Sequence, residues 1–275
     1  EAGHNVVIVD KMMQKEDENA QYLIEQQENT VNNSFWNDFI DGKGVTKAHV
    51  IDAHTHIDYI TPDLQKDVVG AICCATKESE WKKIIDLMNS NNTVYGAFGV
   101  HPWFVDNVID GLDDRLQQLL KNDSNYMVGE IGLDKNKPNM EKQIDLFIKQ
   151  FELAIDLERV VSIHCVGAWD KMLYVLKQYK QSELPLIIVH GFNENEQILK
   201  QLLQYKNIYF SLNKNAVYGK NCRIEQIPND NILIETDGKS DVLLVDLCDA
   251  ISQIKNESNL SMIIYNNAQR LLNNG

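Results

Sequence analysis

Six side chains able to hold a metal stand at the ends of short apolar runs in this 275-residue chain. Val50-Ile51-Asp52-Ala53 leads into His54-Thr55-His56, Val128-Gly129 into Glu130, Ile163 into His164, Ile188-Val189 into His190, and Ile234-Glu235-Thr236 into Asp237. Imidazole nitrogens and carboxylate oxygens are the donors that hydrolytic metal centres use. The spacing of two between His54 and His56 turns both rings to one side of an extended strand, so that they can chelate one ion. Glu130 has two oxygens with which to bridge two ions. His164 and His190 are placed to hold the second ion, and Asp237 to bind the first while orienting the attacking water. The chemistry expected is hydrolysis with two divalent ions, Asp237 taking the proton of the water and Glu130 keeping the ions together. The histidine pairs permit zinc, whereas magnesium or manganese would rely more on the carboxylates.

Six ligands must be carried to one place by elements that end together. Apolar, β-branched runs at 49–53, 68–74, 94–100, 126–131, 160–165, 186–190, 208–212 and 232–236 read as eight strands. Amphipathic segments at 80–88, 112–120, 140–157, 169–179 and 196–205, and a final pair at 243–254 and 261–272, read as helices. Eight such alternations predict an α/β fold of the closed (β/α)8 TIM-barrel type, whose active sites sit at the carboxyl ends of the strands. The connection after the first strand contains Pro62 and is too short for a full helix, so a turn and a thinner helical ring are expected there. Alternation points Cys165 away from the ligand side. Asp52 and Glu235, each placed before a ligand, are expected to face the helical layer and bond to backbone. His49 falls at the foot of the first strand and His4 in the amino-terminal tail, both away from the ligands.

These segments resemble the TatD-type metal-dependent hydrolases and deoxyribonucleases, within the wider amidohydrolase-like barrels. The resemblance runs through Val50-Ile51-Asp52-Ala53-His54-Thr55-His56-Ile57-Asp58, Gly99-Val100-His101-Pro102, Gly129-Glu130-Ile131-Gly132-Leu133-Asp134, Ser162-Ile163-His164, Ile188-Val189-His190-Gly191-Phe192 and Leu233-Ile234-Glu235-Thr236-Asp237, in family order. The ending from Asn266-Asn267 to Leu271-Leu272 is similar too. The resemblance implies a two-metal phosphodiesterase with His54, His56, Glu130, His164, His190 and Asp237 as ligands and His101 near the scissile phosphate. Many relatives carry an Arg two positions after the fifth-strand histidine, where this chain has Val166, and a Pro shortly after the last Asp, where it has Lys239. Lys135, Lys214, Arg223 and Lys239 are the cations available to replace the Arg. Trp103 and Phe104, following His101, are suited to stacking on an unpaired base or to an apolar lid over the barrel mouth. Asp134 is suited to orienting a ligand or capping a turn.

A formal charge of −14, from 40 Asp and Glu against 26 Lys and Arg, disfavours a long duplex held through many phosphates. The substrate expected is therefore a short single strand of DNA, trimmed from an end. The alternatives are an amide, a lactone or a small ester on the same barrel, or an interaction module within a multi-protein, for example defence, complex. Five cysteines without zinc spacing, and no apolar stretch of membrane-spanning length, suit a cytoplasmic protein away from the membrane. Residues 47–275 are expected to form the barrel. Residues 1–46, rich in Gln, Glu and Asn over 11–33, form an N-terminal extension suited to docking a protein partner, with Phe35 and Trp36 placed to cover barrel surface.

Overall fold

The computed structural model describes residues 49–60, 68–219, 221–239 and 243–273. The extension at 1–46, with His4, Phe35 and Trp36, and the Pro62 connection lie outside the described residues. Eight strands follow one another in a single parallel sheet, β1 (Val50–Thr55), β2 (Val68–Cys74), β3 (Val94–Phe98), β4 (Met127–Asp134), β5 (Val161–Val166), β6 (Ile187–Val189), β7 (Ile208–Leu212) and β8 (Ile232–Ile234). The helices are α1 (Trp81–Ser90), α2 (Leu112–Leu120), α3 (Met140–Asp156), α4 (Trp169–Leu176), α5 (Glu196–Leu202), α6 (Lys214–Tyr218), α7 (Leu244–Lys255) and α8 (Leu260–Leu272). The chain is a (β/α)8 barrel, as the alternation of periods predicts. A single turn of 3-10 helix, Ile57–Tyr59, follows β1. The short helix α6 carries no amphipathic signal at sequence level, being five residues long.

Strand residues divide by period two between two apolar clusters. Val161, Ile163, Val189, Phe210 and Ile234 join the large cluster that includes the helix residues Leu116, Phe147, Leu173 and Leu247, which is the layer between sheet and helices. Ile51, Ile72, Met127, Ile188, Tyr209 and Leu233 form the smaller cluster inside the barrel, completed by Ala268, Leu271 and Leu272 of α8. Continuing each inward row toward the carboxyl end gives Ser162 and His164 on β5, His190 after β6, Ser211 on β7 and Asn213 just after it, and Glu235 and Asp237 after β8. The apolar floor thus gives way to a polar mouth within one or two residues on every one of these strands.

Two strands break the period, and both breaks place residues expected as ligands. From Asp52 to Thr55, β1 advances three residues while β2 advances from Ala71 to Cys73, and from Val128 to Ile131, β4 advances three while β5 advances from Val161 to Ile163. One extra residue re-aims the side chains beyond it. Ala53 and His54 therefore both lie inward, as does Glu130, although Val128 and Ile131 pack outward. β8 meets β1 through side chains as well as backbone. The Asp237 N–H donates to the His54 carbonyl at 3.0 Å, while the N–H and hydroxyl of Thr236 donate to Asp52 at 3.0 and 2.6 Å.

Candidate metal centre

Five imidazoles converge on Glu130, whose side chain is only 3% exposed. Its Oε2 lies 3.3 Å from His54 Nε2 and 3.6 Å from His56 Nε2; its Oε1 lies 2.9 Å from His190 Nε2, 3.1 Å from His164 Nδ1 and 3.1 Å from His101 Nε2. Asp237 completes the set, its Oδ1 being 3.7 Å from His56 Nε2 and its ligand oxygen grouping with His54 and His190. All six residues expected as ligands are brought together, along with His101. His49 stands apart, beside Tyr265.

The nitrogen on the far side of each ring decides what the near one can do. The His56 Nδ1–H donates to the Cys74 carbonyl at 3.0 Å, so its Nε2 presents a lone pair to the cluster. The Glu235 carboxylate lies 3.4 Å from His190 Nδ1, and Asp134 lies 3.4 Å from His164 Nε2, which leaves the inward nitrogens of those rings as acceptors. Ser162 Oγ holds His54 Nδ1 at 3.1 Å. His101 is the exception. Its Nδ1 accepts the Trp103 backbone N–H at 3.1 Å, so in the neutral ring the proton must sit on Nε2, facing Glu130. His56, His164 and His190 have acceptors behind them of the kind that orient metal-binding rings, His54 is held by a hydroxyl that can donate or accept, and His101 is oriented as a donor.

The donor set fits divalent ions. His54 Nε2 and Glu130 Oε1 are buried and make no well-formed hydrogen bond among the described residues, although imidazole nitrogens crowd Glu130 at 2.9–3.6 Å; polar atoms packed this closely without good hydrogen-bond geometry suit a cation between them. The inward nitrogens of His164 and His190 face each other at 3.1 Å, a pairing of acceptors that calls for a proton or a cation between them. The electrostatics agree. Burial alone would raise Glu130, yet His190, His101 and His54 hold it well below the usual carboxylate range. Burial would likewise raise Asp237, but His56 and neighbouring cations bring it down to about 2. Burial lowers His54 and His101, while at His190 the Glu130 and Glu235 carboxylates overcome it and push the ring well up.

The surrounding shell contains residues that sequence reasoning assigned differently or passed over. Glu235 does not face the helical layer. It shares the inward parity of Asp237, accepts the Gly191 N–H at 2.8 Å and orients His190. Asp52 behaves as expected, accepting the N–H groups of His54 and Thr236. Asp134 does both things expected of it, approaching His164 and accepting the Asn136 N–H at 2.8 Å in the turn. Two buried glutamines on α3, seven residues apart and so on one helix face, were missed. Gln150 accepts from the N–H of Val100 at 2.7 Å and donates to its carbonyl, fixing the residue before His101, and Gln143 does the same for Asp134. Their signal is two polar residues inside an otherwise apolar stripe. Trp103 is 52% exposed and donates its indole N–H to Asp134 at 2.6 Å, and Lys137 lies 4.2 Å from its ring centre. Lys239 leans on Asp237 at 3.4 Å.

The model of the family described as TatD related DNase matches residues 51–273. The chain belongs to that family. Relatives include a human 3'-5' RNA nuclease, TATDN2, 27% identical over 165 residues, which cover 57% of this chain and 21% of the human protein. The 3'-5' ssDNA/RNA exonuclease TatD of Pectobacterium atrosepticum is 28% identical over 149 residues, covering 52% of this chain and 57% of that enzyme. This chain thus spans about a fifth of the first and little more than half of the second. The crystal structure of YjjV, a TatD homologue from Escherichia coli, superposes with a TM-score of 0.73 at 24% identity, covering 83% of this chain and 99% of that one, and shows the same fold. As a TatD-related DNase the protein is a metal-dependent hydrolase of ester bonds. No helix among its described residues is long and apolar enough to cross a membrane.

Proposed function

We propose that the protein is a two-metal deoxyribonuclease that trims single-stranded DNA from an end. The observation that carries the reading is the convergence of four histidines and two ionised carboxylates in a buried cluster whose His54 Nε2 and Glu130 Oε1 lack well-formed hydrogen bonds. The exonuclease and RNA nuclease named among its relatives point to a nucleic-acid phosphodiester. His54, His56, Glu130 and Asp237 would hold one ion and Glu130, His164 and His190 the other, with magnesium, manganese and zinc as candidates. Two such ions neutralise charge on a phosphoryl group and make water a better nucleophile at neutral pH.

The protein's own groups divide the remaining work. Asp237, ionised throughout the neutral range and 28% exposed at the mouth, accepts the proton of the attacking water as the new P–O bond forms; the P–O bond to the sugar oxygen of the departing nucleotide breaks, its electron pair leaves with that oxygen, and the oxygen takes up a proton from Asp237 or solvent. His101, whose Nε2–H faces Glu130 in this structure, would give that donor to a phosphoryl oxygen once Glu130 is engaged by metal, its ring placed by Trp103 and its backbone by Gln150. Glu130 stays charged at the centre. The free, buried cysteines suit a reducing cytoplasm. End-labelled single strands incubated with each metal are the test, run beside a panel of small esters, lactones and amides. Progressive shortening of the strand supports the reading. Hydrolysis of a non-nucleotide ester or amide with the strand intact replaces it.

A further inference from the structure

Beside the metal centre lies a cavity of about 390 Å³, lined by three lysines, Lys135, Lys137 and Lys171, and one acid, Asp170, over Met140, Gly167 and Ala168. Three lysines around one hollow are a local reversal of sign in a chain of net charge −14. Their places in the fold tie the hollow to the active site. Lys135 directly follows Asp134 at the end of β4, Gly167 comes three residues after His164, and Lys171 stands in the first turn of α4. Lys137 lies over the Trp103 ring, Trp103 donates to Asp134, and Asp134 approaches His164, so an unbroken line of contacts runs from the hollow to the ligands.

The charges there are available. Among the described residues neither Lys135 nor Lys137 is ion-paired, and Lys171 alone has a carboxylate, Asp170 at 2.9 Å. Gly167 adopts the left-handed conformation at φ +62°, and a side chain there would begin 3.4 Å from Cβ of Lys135, against its stem. A bare glycine keeps the hollow open where Lys135 borders it.

We propose that this cavity is a phosphate subsite that binds the phosphate neighbouring the one being hydrolysed, with Lys135 and Lys137 as its principal cations. It supplies from the β4 and β5 loops the positive charge that Val166, at the end of β5, does not. The proposal rests on the nuclease reading and deepens it. A lysine cluster recognises a phosphate as a point charge, so an internal diester and a terminal monoester share the chemistry.

The test compares kcat/KM of the metal-loaded protein on a dinucleotide with one diester, a trinucleotide with two, and the dinucleotide bearing a terminal phosphate. The second phosphate should raise kcat/KM by about tenfold, mainly through KM. In K135A/K137A that advantage should fall to near one, and in K135R/K137R it should return. The same lysine-dependent gain from the terminal phosphate assigns the subsite to either source, and a gain from the trinucleotide alone assigns it to the diester. An undiminished trinucleotide advantage in K135A/K137A overturns the proposal. If the wild-type protein cleaves no oligonucleotide, the nuclease reading falls by itself, and fluorescence anisotropy with the same labelled oligonucleotides still decides the subsite. Tighter binding of the trinucleotide that K135A/K137A abolishes keeps it, and equal binding removes it.

Discussion

His101 and His164 approach the same oxygen of Glu130 at the same 3.1 Å, yet their outer hydrogen bonds give them different work. A carboxylate behind His164 leaves its inward nitrogen an acceptor, as the proposed ligand role needs; a backbone N–H behind His101 leaves its inward nitrogen a donor. His164→Ala should therefore remove metal along with at least ~100-fold of turnover while far-ultraviolet circular dichroism stays that of the folded barrel. Normal metal content with unchanged turnover would take His164 out of the ligand set. The same cluster fixes a dependence on pH. Burial would lower His56, but Asp237, Glu130 and the Cys74 carbonyl raise it to about 9 in the metal-free site. A proton there stabilises the metal-free protein fully below its ordinary 6.5, and that contribution is lost as pH climbs through about 9. Metal has to displace the proton, so affinity should rise with pH between 6.5 and 9, by up to about tenfold per pH unit for each proton displaced. Metal titrations at three pH values across that window read the slope, and a flat line would mean that the rings start neutral.

The strands deliver these groups only because β4 and β5 come very close. Gly132 pairs with His164, and a Cβ at Gly132 would stand 1.9 Å from the His164 carbonyl oxygen. Gly132→Ala must push the two strands apart, which should lower the melting temperature by roughly 5–10 °C and weaken metal binding together. A variant that melts like the wild type with full metal occupancy would show that the backbone yields there at no cost. The eight apolar runs were legible because a parallel barrel strand is buried on both faces and reads as a continuous hydrophobic stretch. The cluster proposed to hold metal was legible because each run ends on a residue that an apolar strand has no other reason to carry. Less was visible where the period of two breaks. Simple alternation from Val128 would place Glu130 outward, and only the extra residue in β4 brings it to the centre. Glu235 shows the opposite case, since counting back two from Asp237 finds it on the inward face. Gln143 and Gln150 depend on contacts across some ten and fifty residues of sequence, which no local pattern encodes.

At the scale of the whole molecule, acidity and a narrow cationic hollow act on the same substrate. The match to the family begins at residue 51, and every proposed ligand lies beyond it, so we expect a protein lacking residues 1–46 to remain a folded, metal-binding barrel. Loss of cooperative melting in that truncation would make the extension part of the core, and loss of a copurifying protein with the barrel intact would make it a docking arm. Binding of nucleic acid should carry the mark of the charge distribution. A surface of net charge −14 repels a long polyanion, and near the mouth Lys135, Lys137 and Lys171 occupy one hollow while Lys239 is paired with Asp237, which does not make a stripe. Each phosphate neutralised on a single strand adds about 0.7 to the slope of log K against log salt. One or two phosphates held outside the metal centre should give a slope between about −0.7 and −1.4, against the far steeper dependence of proteins that track a duplex. Affinity of a short labelled single strand, measured at a fixed concentration of metal from low to moderate salt, gives the number. A slope several times larger would require a basic surface that the described residues do not present, and would overturn this account of how the strand is held.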